Sequence, residues 1–120
     1  MKSKIISSSS LTGKNVYNLK DENIGEIKDL MINPNNSEIV YAVLAFGGFL
    51  GIGSKLFAIP LEALTFSDTD ETIRLDVTKE KLENAPSFDD DNWPMTADND
   101  FLDSVYGHYG YQNRRLAMAK

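Results

Sequence analysis

A chain of 120 residues with 42% hydrophobic and 25% charged side chains is sized and composed for one globular domain, which excludes a disordered chain and leaves little room for a second core. With no cysteine, disulfides and thiolate chemistry are excluded, and a cytoplasmic location is the expectation that follows. The net charge of −6 opposes long-range attraction to nucleic acid and anionic lipid, so no DNA partner is expected.

The chain opens on MKSKIISSSS, where only Ile5 and Ile6 precede a serine run. That is too little for a signal peptide, and no later stretch of about 18 apolar residues predicts a membrane span. Residues 1–9 read as a flexible leader, and Ser7 to Ser10 have no GxSxG context that would make one of them a nucleophile. Residues 14–19 (KNVYNL) predict a short strand and residues 20–23 a turn. In residues 24–32 (IGEIKDLMI), Ile27 and Leu30 are three apart. Strict alternation therefore fails, and a β-bulge near Lys28 or Asp29 is needed to keep one inward face. Gly25 inside the segment and the turn chemistry of residues 33–37 (NPNNS) argue against a helix and for a hairpin. Residues 39–46 (IVYAVLAF) are apolar throughout, as in a central strand covered on both faces.

Four of the eight glycines follow at once, in FGGFLGIGSKLFAIP. Gly47, Gly48, Gly51 and Gly53 are read as structural, supplying backbone angles closed to other residues. Phe49, Leu50 and Ile52 are apolar where a solvated loop would be polar, so the loop covers the domain's own interior or contacts something else. Residues 55–60 predict the returning strand, 61–66 a turn and a strand, and 73–77 a half-exposed closing strand. Thr78 suits a helix N-cap with Val77 and Leu82 as its hydrophobic staple, and Ala85-Pro86 ends that helix. About six short strands and one helix within residues 10–85 predict a mainly β fold, a small closed or nearly closed barrel.

From Pro86 the composition turns acidic and aromatic. Phe101, Leu102, Val105, Tyr106 and Tyr109 recur at helical spacing, which predicts one short helix in the carboxyl-terminal tail. With Trp93 they are too many large apolar groups to leave in water, so the tail is expected to dock, with a homodimer that shares it as the expected assembly. The organisation expected is a leader over 1–9, the barrel over 10–88 and the tail over 89–120.

Together, LTGKNVYNLKDENIGEIKDLMI, VYAVLAFGGFLGIGSKLFAIPLEAL and LDVTKEKLENAPSF closely resemble the PRC-barrel domain. The most specific piece is the apolar strand, FGGFLGIG loop and KLFAIP strand in succession. The resemblance implies a small β-barrel used for protein interaction, sometimes as a dimer, with no family-wide reaction. Related barrels occur in the H subunit of the photosynthetic reaction centre and in the carboxyl-terminal domain of the ribosome maturation factor RimM. The latter gives the alternative expectation of an RNA-associated or ribosome-assembly role, by kinship of fold.

No catalytic, cofactor or metal site is expected. Gly48-x-x-Gly51-x-Gly53 reverses the dinucleotide fingerprint and has no helix behind it, and Gly53 is not followed by the Lys-Ser/Thr of a P-loop. His108 is the only histidine, which rules out a two-histidine metal site within one chain. Asp89, Asp90 and Asp91 lack the order of a calcium loop. Tyr106, Tyr109 and Tyr111 beside Arg114 and Arg115 suit base stacking or a protein interface, and the acidic chain favours the interface. The candidate interaction surface is therefore Phe49, Leu50, Ile52, Trp93, Phe101, Tyr106, Tyr109, Arg114 and Arg115, facing a protein partner or a second copy.

Overall fold

β-branched and aromatic residues between turn signals set the strands, and a computed structural model, describing residues 5–46, 55–67, 72–89, 91–94 and 99–111, shows seven of them. They are β1 (Asn15–Tyr17), β2 (Asn23–Asn33), β3 (Glu38–Phe46), β4 (Lys55–Ile59), β5 (Leu64–Phe66), β6 (Ile73–Leu75) and β7 (Ser87–Phe88). The ladder order is β5-β6-β1-β2-β3-β4-β7, antiparallel except for the parallel pair β1 and β6. The sheet is a curled half-barrel with β5 and β7 at its two edges.

The expected bulge is present: Ile27 pairs with Leu44 and Asp29 with Val43, leaving Lys28 as the extra residue. The insertion keeps the buried Ile27 and the half-buried Leu30 on one face, packed in the same cluster, despite their spacing of three. A second bulge lies on the partner strand, where Met31 pairs with Tyr41 and Ile32 with Ile39, so that Val40 is extra. The hairpin turn between them is held by its asparagines. The Asn33 side-chain oxygen accepts from the Asn35 N–H at 3.0 Å and that of Asn36 from the Glu38 N–H at 3.2 Å, while Ser37 takes a left-handed φ of 58°.

The central strands are covered on both faces, as their unbroken apolar run predicts. Ala42, Leu44, Phe57 and Ile59 face the concave side with Val16, Ile24, Ile27, Ile73, Leu75 and Leu82. Tyr41, Val43, Leu56 and Ala58 face the other way, beneath the tail. The concave interior is thus filled by its own side chains, several of them wholly buried.

Helix α2 (Lys79–Glu83) starts as its sequence indicates: the Thr78 hydroxyl accepts from the Lys81 N–H at 3.0 Å, and Val77 and Leu82 join the same buried cluster. Two short elements go beyond the sequence reading. Helix α1 (Ser8–Leu11) forms in the serine run read as a leader, with Leu11 packed against the core, and the Gly13 N–H donates to the Ile27 carbonyl. Strand β7 forms just after Pro86, Phe88 pairing with Leu56 and Ser87 with Phe57. Two residues carry no periodicity, so only the long-range partner β4 makes them a strand.

Helix α3 (Asn99–His108) is the helix expected in the tail. It docks within the same chain, burying Leu102, Val105 and Tyr106 against the convex face of β3 and β4.

Candidate functional site

The strands on either side of the glycine-rich segment stay paired up to its edge. The last pair of the β3–β4 ladder joins Phe46 to Lys55, and the Phe46 ring meets Phe57 with centroids 6.4 Å apart. Beside it Gly25 brings β2 close to β3, at a φ of 132° that favours glycine. Gly47, Gly48, Phe49, Leu50, Gly51, Ile52 and Gly53 lie outside the described residues, as do Arg114 and Arg115.

The aromatic residues of the tail come together. Trp93 and Phe101 are half-buried and form an edge-to-face chain with Phe88 and Tyr41: Phe88–Trp93 at 5.3 Å, Phe88–Phe101 at 6.5 Å and Tyr41–Phe101 at 6.2 Å. Such contacts add about 0.5 to 1.5 kcal/mol each beyond burial. Tyr106 is placed differently from the expectation of a contact surface. It is wholly buried within one protomer, and its hydroxyl donates to the Val40 carbonyl, the carbonyl of the bulged residue. A bulge leaves its extra residue outside the regular ladder, and the phenol supplies a partner there. Tyr106 is therefore a packing and anchoring residue.

Past the helix the chain turns towards the opposite side of the sheet. His108 Nε2 lies 3.0 Å from the Lys81 carbonyl, which it approaches as a donor, and its ring meets Tyr109 edge-on at 5.0 Å. Tyr109 packs against the concave cluster, and its hydroxyl is buried with no hydrogen-bond partner. The exposed Tyr111 reaches the Glu62 carbonyl at 3.4 Å. Tyr109 thus faces inward in large part, and the surface expected of it shrinks to an edge. The tail spans both faces of the sheet, from β3 and β4 round to α2 and the 3-10 turn Leu61–Ala63.

Burial pushes the Tyr41 and Tyr109 hydroxyls above the usual tyrosine range, because desolvation penalises the phenolate. The folded state therefore holds these protons more tightly than the unfolded chain does. The stability they contribute is fully present below pH 10, the unfolded value, and is lost as pH rises towards the folded values. Urea unfolding at pH 8 and pH 11 is expected to show a lower midpoint at pH 11, and Tyr109→Phe is expected to reduce that difference.

One polar cluster escaped the sequence reading. Asn18 is 2% exposed; its side-chain oxygen accepts from the Lys20 and Glu22 N–H groups, both at 3.0 Å, and its amide donates to Glu22 Oε1 at 2.7 Å. Arg74 donates to the Asn18 carbonyl at 2.9 Å and pairs with Asp21 at 2.8 Å. Every partner is local or structural, so the cluster pins the β1–β2 turn to β6. Asn18 just ahead of the polar turn at 20–23 was its only trace in the sequence, and Asp21 there takes a left-handed φ of 61°.

A surface hollow of about 340 Å³ lies between the amino-terminal segment and the β5–β6 edge. Ile6, Leu11, Phe66 and Ile73 line it, with Lys14 as its one charged residue; it holds no acid–base pair. Among the described residues, no group of three His, Cys, Asp or Glu is placed to share a metal ion, and no helix is long and apolar enough to cross a membrane.

Strands β1 to β6, the bulged hairpin and the glycine-rich segment fall within residues 4–82, which match the PRC-barrel domain. The chain belongs to the PRC-barrel family. PRC-barrel domains form a small module that is in general non-catalytic and often mediates interactions. No curated protein matches the chain. The PRC-barrel match ends inside α2, so β7 and α3, which cover the edge and convex face of β4, lie beyond it.

Proposed function

We propose that this PRC-barrel protein is a non-enzymatic interaction module whose contact surface is the end of the half-barrel that carries Phe49, Leu50 and Ile52. The observation behind this reading is the state of the flanking strands. Between them, β3 and β4 have side chains packed on both faces, so the described core around the loop is already filled. Three large apolar residues between glycines then have a protein partner as their natural cover. The net charge of −6 weighs against the RNA-associated alternative.

The combined substitution Phe49→Ala, Leu50→Ala and Ile52→Ala tests it. A contact surface predicts an unfolding free energy within about 1 kcal/mol of wild type, because exposed side chains contribute little to stability. If the three side chains instead complete the core, the loss is about 6 kcal/mol or more, and the proposal fails.

A further inference from the structure

We infer that the hollow between α1 and the β5–β6 edge is a binding site for a small anionic amphiphile, a medium-length alkyl carboxylate whose head meets Lys14 and whose chain lies against Ile6, Leu11, Phe66 and Ile73. The inference uses none of the residues of the proposed contact surface and stands whether or not that surface binds a protein. Three elements fixed by the sheet shape the hollow. Leu11 of α1 and Phe66 of β5 pack against the concave cluster, and Ile73 of β6 is buried within it. The backbone of Lys14 is held on both sides: its N–H donates to the Leu11 carbonyl at 3.1 Å, and its carbonyl accepts from the Ile27 N–H at 2.9 Å. The root of the lysine is therefore fixed before any ligand arrives, which lowers the ordering cost of binding. A volume of about 340 Å³ falls within the range of small-molecule sites.

Two further observations give the ligand its chemistry. Ile5 is 95% exposed and Ile6 37%, so the lip of the hollow holds two of the five large apolar side chains left in water among the described residues. An alkyl chain lying in the hollow would cover apolar surface that this chain leaves uncovered. Lys14 is the one charged residue of the lining, and among the described residues no acid pairs with its ammonium. In a chain of net charge −6, an unpaired cation whose stem runs beside apolar walls selects an anion with an apolar body.

Amide NMR shifts of the full-length protein, titrated with hexanoate, octanoate and decanoate, test the site. Decanoate is expected to shift the amides of Leu11, Lys14, Phe66 and Ile73 with a Kd of about 1 mM. Full burial of one CH₂ is worth about fourfold in affinity. In a hollow open to solvent, a gain of at least about fourfold is expected for each two-carbon step. Ile6 lies outside both buried clusters, so Ile6→Asp leaves the core intact, and it is expected to weaken decanoate at least about tenfold. Lys14→Gln is expected to weaken decanoate about threefold and to leave the affinity for decanol unchanged. Asp68, Asp70 and Glu71 lie in sequence between Ser67 and Thr72 of the lining. Decylammonium is therefore the sharpest control, expected to bind at least about threefold more weakly than decanoate. Decylammonium bound as tightly as decanoate overturns the inference, as do affinities independent of chain length or shifts confined to other residues. Sedimentation with phosphatidylglycerol vesicles, without a response to monomeric decanoate, would overturn it in favour of a membrane surface.

Discussion

Gly25→Ala is expected to destabilise the protein by about 3 kcal/mol. Gly25 sits in β2 opposite Val16 of β1 at a φ of 132°, and a Cβ built on it would lie 2.5 Å from the Ala45 carbonyl oxygen and 3.2 Å from two carbons of Leu44. The nearest atom is backbone in the central strand, so no side-chain rotation relieves the clash. Forcing a non-glycine residue into this region costs about 1 to 3 kcal/mol, and the displacement of a packed neighbour adds about 1 to 3 more. Against a typical total of 5 to 15 kcal/mol this is a large fraction. Urea unfolding of wild type and variant measures it directly. A loss under about 1 kcal/mol would mean that β2 and β3 are further apart at this point than the structure has them.

Tyr106→Ala is expected to cost about 3 to 5 kcal/mol, since it empties the centre of the second core. Tyr106 is 0% exposed, with Val105 at 0% and Leu102 at 2% beside it. Tyr106→Phe separates the two parts of this effect. It keeps the ring and strips the Val40 carbonyl of its donor, with an expected loss of about 1 to 3 kcal/mol for an unsatisfied buried group. Amide hydrogen exchange should show faster exchange concentrated in α3 for the alanine variant and little change in β1 and β6. Equal acceleration throughout the sheet would instead make α3 an inseparable part of one core.

The two predictions differ in how far the sequence announced them. Gly25 was read as an argument against a helix, and the bulge at Lys28 followed from the spacing of Ile27 and Leu30, because period is a local property that residues record directly. The two-faced burial of β3 was visible in its unbroken apolar run for the same reason. The Val40 bulge left no such mark. The partner of its carbonyl is Tyr106, 66 positions later, and a carbonyl waiting for a phenol has no signature of its own. The tail's helix was legible from Phe101, Leu102, Val105 and Tyr106. That Tyr106, expected at a contact surface, would be wholly buried was not, since the same amphipathic spacing serves a core or an interface. Likewise β7 needed its partner β4, and α1 its anchor at Leu11, before either became an element.

The claim that the glycine-loop end is the contact surface is tested most directly by photocrosslinking from Leu50. A benzophenone amino acid is placed there in the full-length protein, with an identical probe at the exposed Lys28 as the reference. Exposure to extract of the source cells, followed by irradiation, is expected to give a discrete crosslinked protein from position 50 that position 28 does not give. That product should disappear when Phe49 and Ile52 are also changed to alanine. Products confined to the same chain, or alike from both positions, would contradict the account.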